Sequence, residues 1–116
     1  MESPSLDAGI FSDFGGEPDL AWLVELFVAE MPERTRKLTD LAEQRDWEGL
    51  ARCAHQIKGS AGSYGFADIT PYAQKLEIAA KGSANEEVIL RTLHDLISVC
   101  QRARAGANPQ TRFTRV

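Results

Sequence analysis

The residues with the clearest chemical potential lie between positions 50 and 65, where a histidine is followed by a lysine and two glycines. At the helical spacing of roughly 100° per residue, one face carries His55, Lys58, Gly59 and Gly62. The opposite face carries an apolar stripe made of Leu50, Cys53, Ile57, Ala61 and Tyr64. A solvated, neutral imidazole keeps a free nitrogen lone pair near neutral pH, so this pattern predicts an outward-facing nucleophile at His55.

The neighbours of His55 indicate that another molecule must reach the ring. Glycine inside a helix costs about 1 kcal/mol relative to alanine, so two glycines on one exposed face need a reason. We interpret Gly59 and Gly62 as positions where a Cβ would hold a partner protein away from the imidazole. Lys58, one turn after His55, can balance the charge of a phosphoryl group on the ring.

Other motifs of phosphate chemistry are missing from the sequence. It has no Gly-Lys-Ser/Thr phosphate-binding loop, no carboxylate cluster suited to Mg²⁺ and no nucleotide-binding pattern. The chain can therefore carry a phosphoryl group, but it shows no means of taking one from ATP unaided.

The helix that carries His55 has recognisable signals at both ends. Asp46 is suited to cap its N-terminus, and Gly65 is suited to end it in the left-handed conformation. We therefore predict a helix from Trp47 to about Tyr64.

An earlier helical segment starts at Asp19. Pro32 interrupts its pattern and either kinks the segment or splits it into two helices. The apolar pattern includes Leu26, and we expect Trp22 to serve in packing between helices rather than in ligand binding.

Two later helical segments follow the histidine. Asp68 can cap the first of them, and Ser83 with Glu86 forms a capping box for the second. With short connections and no alternating strand pattern, these segments predict an all-α fold, an antiparallel up-down four-helix bundle with an N-terminal arm or short extra helix. The predicted boundaries are a flexible arm over 1–17, the bundle over 18–105 and a flexible tail over 106–116.

Size and composition narrow the functional classes. A chain of 116 residues suits one domain, and its net charge of −4 argues against nucleic-acid binding. No apolar run approaches the roughly 18 residues of a membrane span, and no secretory signal is recognisable. Cys53 and Cys100 lie in apolar helical stripes, which favours small core residues in a reducing compartment, so we expect a cytoplasmic location.

The motif from His55 to Ala61, His-Gln-Ile-Lys-Gly-Ser-Ala, followed by Gly65, resembles the signature of histidine-containing phosphotransfer (HPt) domains of phosphorelays. The similarity extends over about residues 18–103 and includes Asp46-Trp47-Glu48 and Leu76-Glu77. It implies a four-helix bundle whose histidine accepts a phosphoryl group from a receiver-domain aspartate and passes it reversibly to another. It also implies that the receiver supplies Mg²⁺, that no cofactor is held by this chain, and that the chain has no nucleotide site of its own.

The resemblance assigns roles position by position. His55 is then the phospho-acceptor, Lys58 stabilises the phosphoryl group and Gly59 allows close approach of the partner. Glu77 is placed to orient the ring through Nδ1, although its helix face could equally be a plain solvated one. The expected partners are receiver domains, with a hybrid histidine kinase as a further candidate. Arg52, Gln56 and Ser63 are candidates for the rim of the contact, and the expected oligomeric state is a monomer.

Several alternatives stay open at this stage. One is a helical adaptor without phosphotransfer, and another is the phospho-accepting domain of a chemotaxis-type histidine kinase. A third is a metal or hydrolytic enzyme using His55, His94, Cys53 and Glu77, which the helical geometry disfavours; His94 is expected to be a partly buried packing residue. Met1 and the non-helical sequence at both ends lead us to expect a freestanding protein rather than a piece of a larger kinase.

Overall fold

A computed structural model describes residues 9–82 and 85–108 of the chain. Within these ranges lie four helices and two very short strands, in the order β1 Ile10–Phe11, α1 Ala21–Glu43, α2 Trp47–Ser63, α3 Thr70–Lys81, α4 Glu86–Gln101 and β2 Ala103–Arg104. Each helix packs against the next along the chain, and α4 also packs against α1, which closes the bundle. The predicted all-α four-helix bundle is confirmed.

The core receives one apolar stripe from each helix. Its largest fully buried side chains include Phe27, Leu38, Leu50, Ile57, Phe66, Ile69, Leu76, Ile89 and Leu96. Burying one such side chain contributes about 1.5–3 kcal/mol, so these residues are the main source of stability. Cys53 and Cys100 are buried free thiols, as their place in the stripes predicted. Within the described ranges, none of the helices has the length and apolar character needed to cross a membrane.

Helix α1 is a single helix that continues through Pro32, so the split, one of the two alternatives at this proline, does not occur. Its buried side consists of Val24, Phe27, Met31, Thr35, Leu38 and Ala42. Because this stripe leaves Trp22 and Leu26 on other sides of the helix, their side chains are 60% and 47% exposed. The prediction that Trp22 packs between helices is wrong.

Helix α2 begins and ends at the residues that its sequence signals predicted. Asp46 Oδ1 accepts a hydrogen bond from the backbone N–H of Gly49 at 2.9 Å, which satisfies one free N–H of the first turn. At the other end Gly65 adopts a φ of +84°, and the N–H of Phe66 donates to the carbonyl of Ala61 at 2.8 Å. This hydrogen bond and the positive φ form a Schellman motif, which stops the helix at Ser63, eight residues after His55.

The starts of the other two helices differ from the predictions. Helix α3 has no side-chain cap from Asp68; its N-cap position is Ile69, and a proline occupies its first turn. The N-cap of α4 is Asn85, whose Oδ1 accepts from the N–H of Val88 at 2.9 Å, so the predicted capping box is wrong. Ser83 lies outside the described residues, and Glu86 instead forms an ion pair with Arg45 Nη2 at 2.6 Å.

The segment before α1 contacts the segment that follows α4. Strand β1 pairs in parallel with β2, in a register that places Ile10 opposite Ala103, and both side chains are buried. Ser12 Oγ donates to the carbonyl of Tyr64, and the N–H of Asp13 donates to the carbonyl of Gly65 at 3.0 Å. The described part of the predicted flexible arm thus contacts the bundle through hydrogen bonds to backbone carbonyls and holds no extra helix. Residues 1–8 and most of the predicted tail, 109–116, lie outside the described residues.

Candidate functional site

His55 stands on the outer face of α2, opposite the helix's buried stripe. Its side chain is 65% exposed, whereas Ala54 and Ile57 beside it in the sequence are fully buried. This placement follows from the helical period, since the residues that pack into the core lie on the other side of the helix axis. The ring is therefore accessible to another molecule.

A single carboxylate from α3 holds the ring. The distance from His55 Nδ1 to Glu77 Oε2 is 2.9 Å, and the Glu77 side chain is only 8% exposed. An ionised carboxylate can only accept hydrogen bonds, so in this contact Nδ1 carries the proton and donates the hydrogen bond. In the neutral ring the lone pair then lies on Nε2, which makes no hydrogen bond with any residue that the structure describes.

Two lysines contact the same carboxylate. Lys58 Nζ lies 2.9 Å from Glu77 Oε1, and Lys81 Nζ lies 3.4 Å from Oε2. The ammonium of Lys58 is the main reason that the pKa of Glu77 lies below its ordinary value; His55 acts in the same direction, and desolvation opposes both. Glu77 is therefore ionised at neutral pH, and its burial excludes the alternative of a plain solvated face.

The sequence interpretation placed Lys81 on the same helix face as Glu77 but gave it no role at the site. Its signal was available in the spacing, because a lysine four residues after a glutamate lies on the same face of a helix. The two lysines differ in exposure: the Lys58 side chain is 29% exposed, and the Lys81 side chain is 67% exposed. The predicted role of Lys58 at a phosphoryl group stays a prediction, since its ammonium is paired with Glu77 here.

The two glycines near His55 have no packing reason to lack a side chain. A Cβ built at Gly59 would meet no atom within 4 Å outside its own helical turn, and one at Gly62 would meet only Thr70 Oγ1, at 3.9 Å. A Cβ at Gly49, by contrast, would come within 2.6 Å of Asp46 Oδ2. Gly59 and Gly62 are both exposed, so the space above them is open to solvent.

His55 lies between two depressions on the surface. The first, which we call the α3-side cleft, has a volume of about 750 Å³ and is lined by Arg52, Glu77, Ala80 and Lys81, among others. The second, the α1-side groove, has a volume of about 580 Å³ and is lined by His55, Arg34, Gln56, Gly59, Ser60, Ser63 and Tyr64. The candidate rim residues Arg52, Gln56 and Ser63 are all exposed: Arg52 lies in the cleft, Ser63 in the groove and Gln56 in both.

The four residues of the metal-enzyme alternative do not come together. Glu77 contacts His55, but Cys53 is buried in the core, where desolvation raises the pKa of its thiol. His94 lies on α4 and is exposed, so its predicted partial burial is wrong; the buried stripe of α4 falls on its neighbours Leu93 and Leu96. In the part of the chain that the structure describes, no group of three or more His, Cys, Asp or Glu side chains could hold a metal ion.

Comparison with known protein families gives a match over most of the chain. The family model described as Hpt domain matches residues 23–106, which is most of the chain and contains all four helices except the first two residues of α1. No similar chain was found among curated proteins or among solved structures.

Proposed function

The chain belongs to the Hpt domain family, whose members carry out histidine-containing phosphotransfer in two-component signalling, and we propose that His55 is its phosphoryl acceptor. In this proposal the phosphoryl group arrives from the aspartyl phosphate of one receiver domain. It then passes reversibly to the aspartate of another. Hpt domains act as phosphotransfer modules without a nucleotide site of their own.

The single observation that carries the proposal is the arrangement of the two ring nitrogens. Nδ1 of the exposed ring donates to the buried Glu77 carboxylate at 2.9 Å, while Nε2 is left without a partner among the described residues. A nucleophile needs a free lone pair and a defined orientation, and this arrangement supplies both.

The transfer step follows from this arrangement. The Nε2 lone pair forms the N–P bond while the P–O bond to the receiver's aspartate breaks, and the electron pair of that bond leaves with the aspartate carboxylate. The ring keeps its Nδ1 proton and gains a positive charge, which the Glu77 carboxylate stabilises. In the reverse step a receiver carboxylate attacks phosphorus and the ring returns to its neutral state.

The lysines offset the charge of the transferred group. Before transfer, Glu77 is paired with Lys58 and Lys81. We propose that Lys58 also stabilises the phosphoryl group on Nε2, since both lysines share a carboxylate with the ring and their ammonium groups therefore lie close to it. Mg²⁺ belongs to the partner receiver in this proposal, and this chain holds no cofactor.

Hpt domains work with receiver domains and histidine kinases, and we propose receiver domains as the direct partners of this chain. The partner covers the outer face of α2, where Gly59 and Gly62 leave open space and Arg52, Gln56 and Ser63 form the rim. Because a relay intermediate must release its partner, the contact area should be modest. We also propose that the protein is a cytoplasmic monomer that binds neither nucleic acid nor membrane.

The experiment that tests it is labelling with a phosphorylated receiver domain and, separately, with phosphoramidate. The expected product is labile in acid and stable in alkali, as a phosphohistidine is, and His55→Gln should abolish it. The chain has two histidines and both are exposed, so His94→Gln is the matched control and should keep the label. Labelling that survives His55→Gln would contradict the assignment, and an unlabelled wild-type chain would favour a helical adaptor.

A further inference from the structure

The α1-side groove contains a cation that the transfer step does not use. Arg34 lies on α1 and lines this groove together with His55, Gly59 and Ser63. None of the side chains that line the groove is acidic. The lining of the groove therefore includes a cation and no carboxylate, on a chain whose net charge is −4.

Arg34 packs against the aromatic part of the core as well as pairing with a neighbouring carboxylate. Its guanidinium carbon lies 5.7 Å from the centroid of the Phe27 ring, and Phe27 in turn packs against Tyr64 and Phe66 at centroid distances of 5.2 Å. Its Nε is buried and has no hydrogen-bond partner among the described residues. A guanidinium fixed in this way loses little conformational entropy when it binds an anion.

The present partner of Arg34 is weak and replaceable. Nη2 of Arg34 lies 3.0 Å from Glu30 Oε1, one helical turn away, and the Glu30 side chain is 46% exposed. The Arg34 side chain is 28% exposed, and ion pairs at this spacing contribute about 0.3–0.5 kcal/mol where both side chains are exposed. A carboxylate from another protein, desolvated on contact and able to bind the guanidinium fork with both oxygens, would pair with Arg34 more strongly.

We propose that the α1-side groove receives an acidic side chain of the partner receiver domain, which pairs with Arg34 in place of Glu30. This inference rests on the proposed function, because a phosphoryl donor must approach Nε2 of His55. His55 lines the same groove as Arg34, so a partner that reaches the ring also covers the arginine. The open space above Gly59 gives the incoming chain room to enter.

The test compares transfer from a large donor with labelling by a small one. The large donor is the receiver domain, phosphorylated with acetyl phosphate, that transfers fastest to the wild-type chain; the small donor is phosphoramidate. We expect Arg34→Gln to lower the rate constant for receiver transfer about tenfold more than it lowers labelling by phosphoramidate. Added salt should slow receiver transfer less in Arg34→Gln than in the wild type.

Further variants keep the test valid if Arg34→Gln weakens the fold. Glu30→Gln removes the competing carboxylate and should speed receiver transfer about two- to threefold, a gain that a folding defect cannot produce. Arg36→Gln removes the same charge from an exposed position of α1 outside the groove and should change receiver transfer less than twofold. A charge reversal at Arg34 should be rescued by reversing one acidic residue on the receiver.

The outcomes separate the two proposals. A wild-type chain that phosphoramidate and receiver leave unlabelled overturns the proposed function itself. A labelled wild type, together with receiver transfer that neither Arg34→Gln nor Glu30→Gln changes, overturns the groove contact alone. Equal losses with both donors in a folded Arg34→Gln chain also overturn it, since Arg34 would then act on the phosphoryl group instead of the partner.

Discussion

At the scale of single residues, Gly59 and Gly62 on the outer face of α2 are positions where the fold and the proposed partner favour different residues. Gly59 lacks any neighbour that would clash with a side chain, and it lies inside a regular helix, where alanine is favoured by about 1 kcal/mol. The fold therefore gives up stability at this position. In the proposed function, a partner that approaches His55 through the open space above Gly59 accounts for this loss.

The first prediction concerns Gly59→Ala. We expect this variant to be more stable by about 1 kcal/mol, which raises Tm by about 4 °C for a chain of this size. Transfer from a phosphorylated receiver should fall by about 10- to 100-fold, because a methyl group at the contact displaces the phosphoryl donor from His55 Nε2. Thermal melts and transfer kinetics measure the two effects on the same preparation.

Gly49→Ala is the matched control for this prediction. It lies in the first turn of the same helix, where the new Cβ would crowd the Asp46 cap and offset the gain in helix propensity. We expect no rise in Tm and no specific loss of receiver transfer. A Gly59→Ala chain that transfers at the wild-type rate would show that the open space serves no partner.

At the scale of elements, the Glu77 carboxylate joins α3 to α2 through His55 and Lys58. The pKa of Glu77 is lowered from 4.5 in the folded chain, because Lys58 and His55 favour the ionised form more than burial disfavours it. The unfolded chain then takes up its proton at a higher pH than the folded chain does. This link between helices is complete above about pH 4.5 and is lost as the pH falls through the lower, folded-state pKa.

The second prediction uses Glu77→Gln, which keeps the shape of the side chain and removes its charge. Near pH 7 the wild type should have a Tm higher by a few degrees, and the difference should shrink as the pH falls below about 4.5, since protonated Glu77 resembles glutamine. Circular-dichroism melts between pH 7 and pH 3 at constant ionic strength measure it. Glu33→Gln, at an exposed position of α1, should show little difference at any pH. A Tm difference between the wild type and Glu77→Gln that stays constant down to pH 3 would rule out a stabilising role for the charge of Glu77.

The sequence predicted those elements whose signals are local. Asp46 caps α2 because the cap and its N–H partner are three residues apart, and Gly65 ends α2 because the left-handed conformation favours glycine. The exposed face of His55 follows from the helical period in the same way. The helical spacing of apolar and polar residues was enough to predict four helices.

Features that depend on packing between distant segments were missed. Ile10 and Ala103 pair across almost the whole chain, and two-residue strands leave no alternating pattern to detect. Trp22 looked like a packing residue by type, but the angular position of the α1 stripe leaves it in solvent. The meeting of Lys58 with Glu77 depends on the rotation of α3 against α2, which no single-helix period determines.

At the scale of the whole molecule, the exposed apolar side chains are spread over the surface. Those with large exposed area are Trp22 and Leu26 on α1, Tyr72 and Ile78 on α3, and Leu90 on α4. Among these described side chains, Trp22 and Leu26 are four residues apart and therefore lie on the same face of α1. An aromatic residue buries about 150–250 Å² at most, whereas a specific dimer usually buries at least about 1,200 Å² in total.

The last prediction is therefore that the protein is a monomer both before and after phosphorylation. Light scattering coupled to gel filtration should give a mass of 12.8 kDa that does not change with protein concentration. Trp22→Ala should give the same value, because the apolar pair on α1 is too small to hold two copies together and the net charge of −4 adds repulsion between them. A mass near twice this value that Trp22→Ala restores to the monomer would show instead that α1 is a dimer interface.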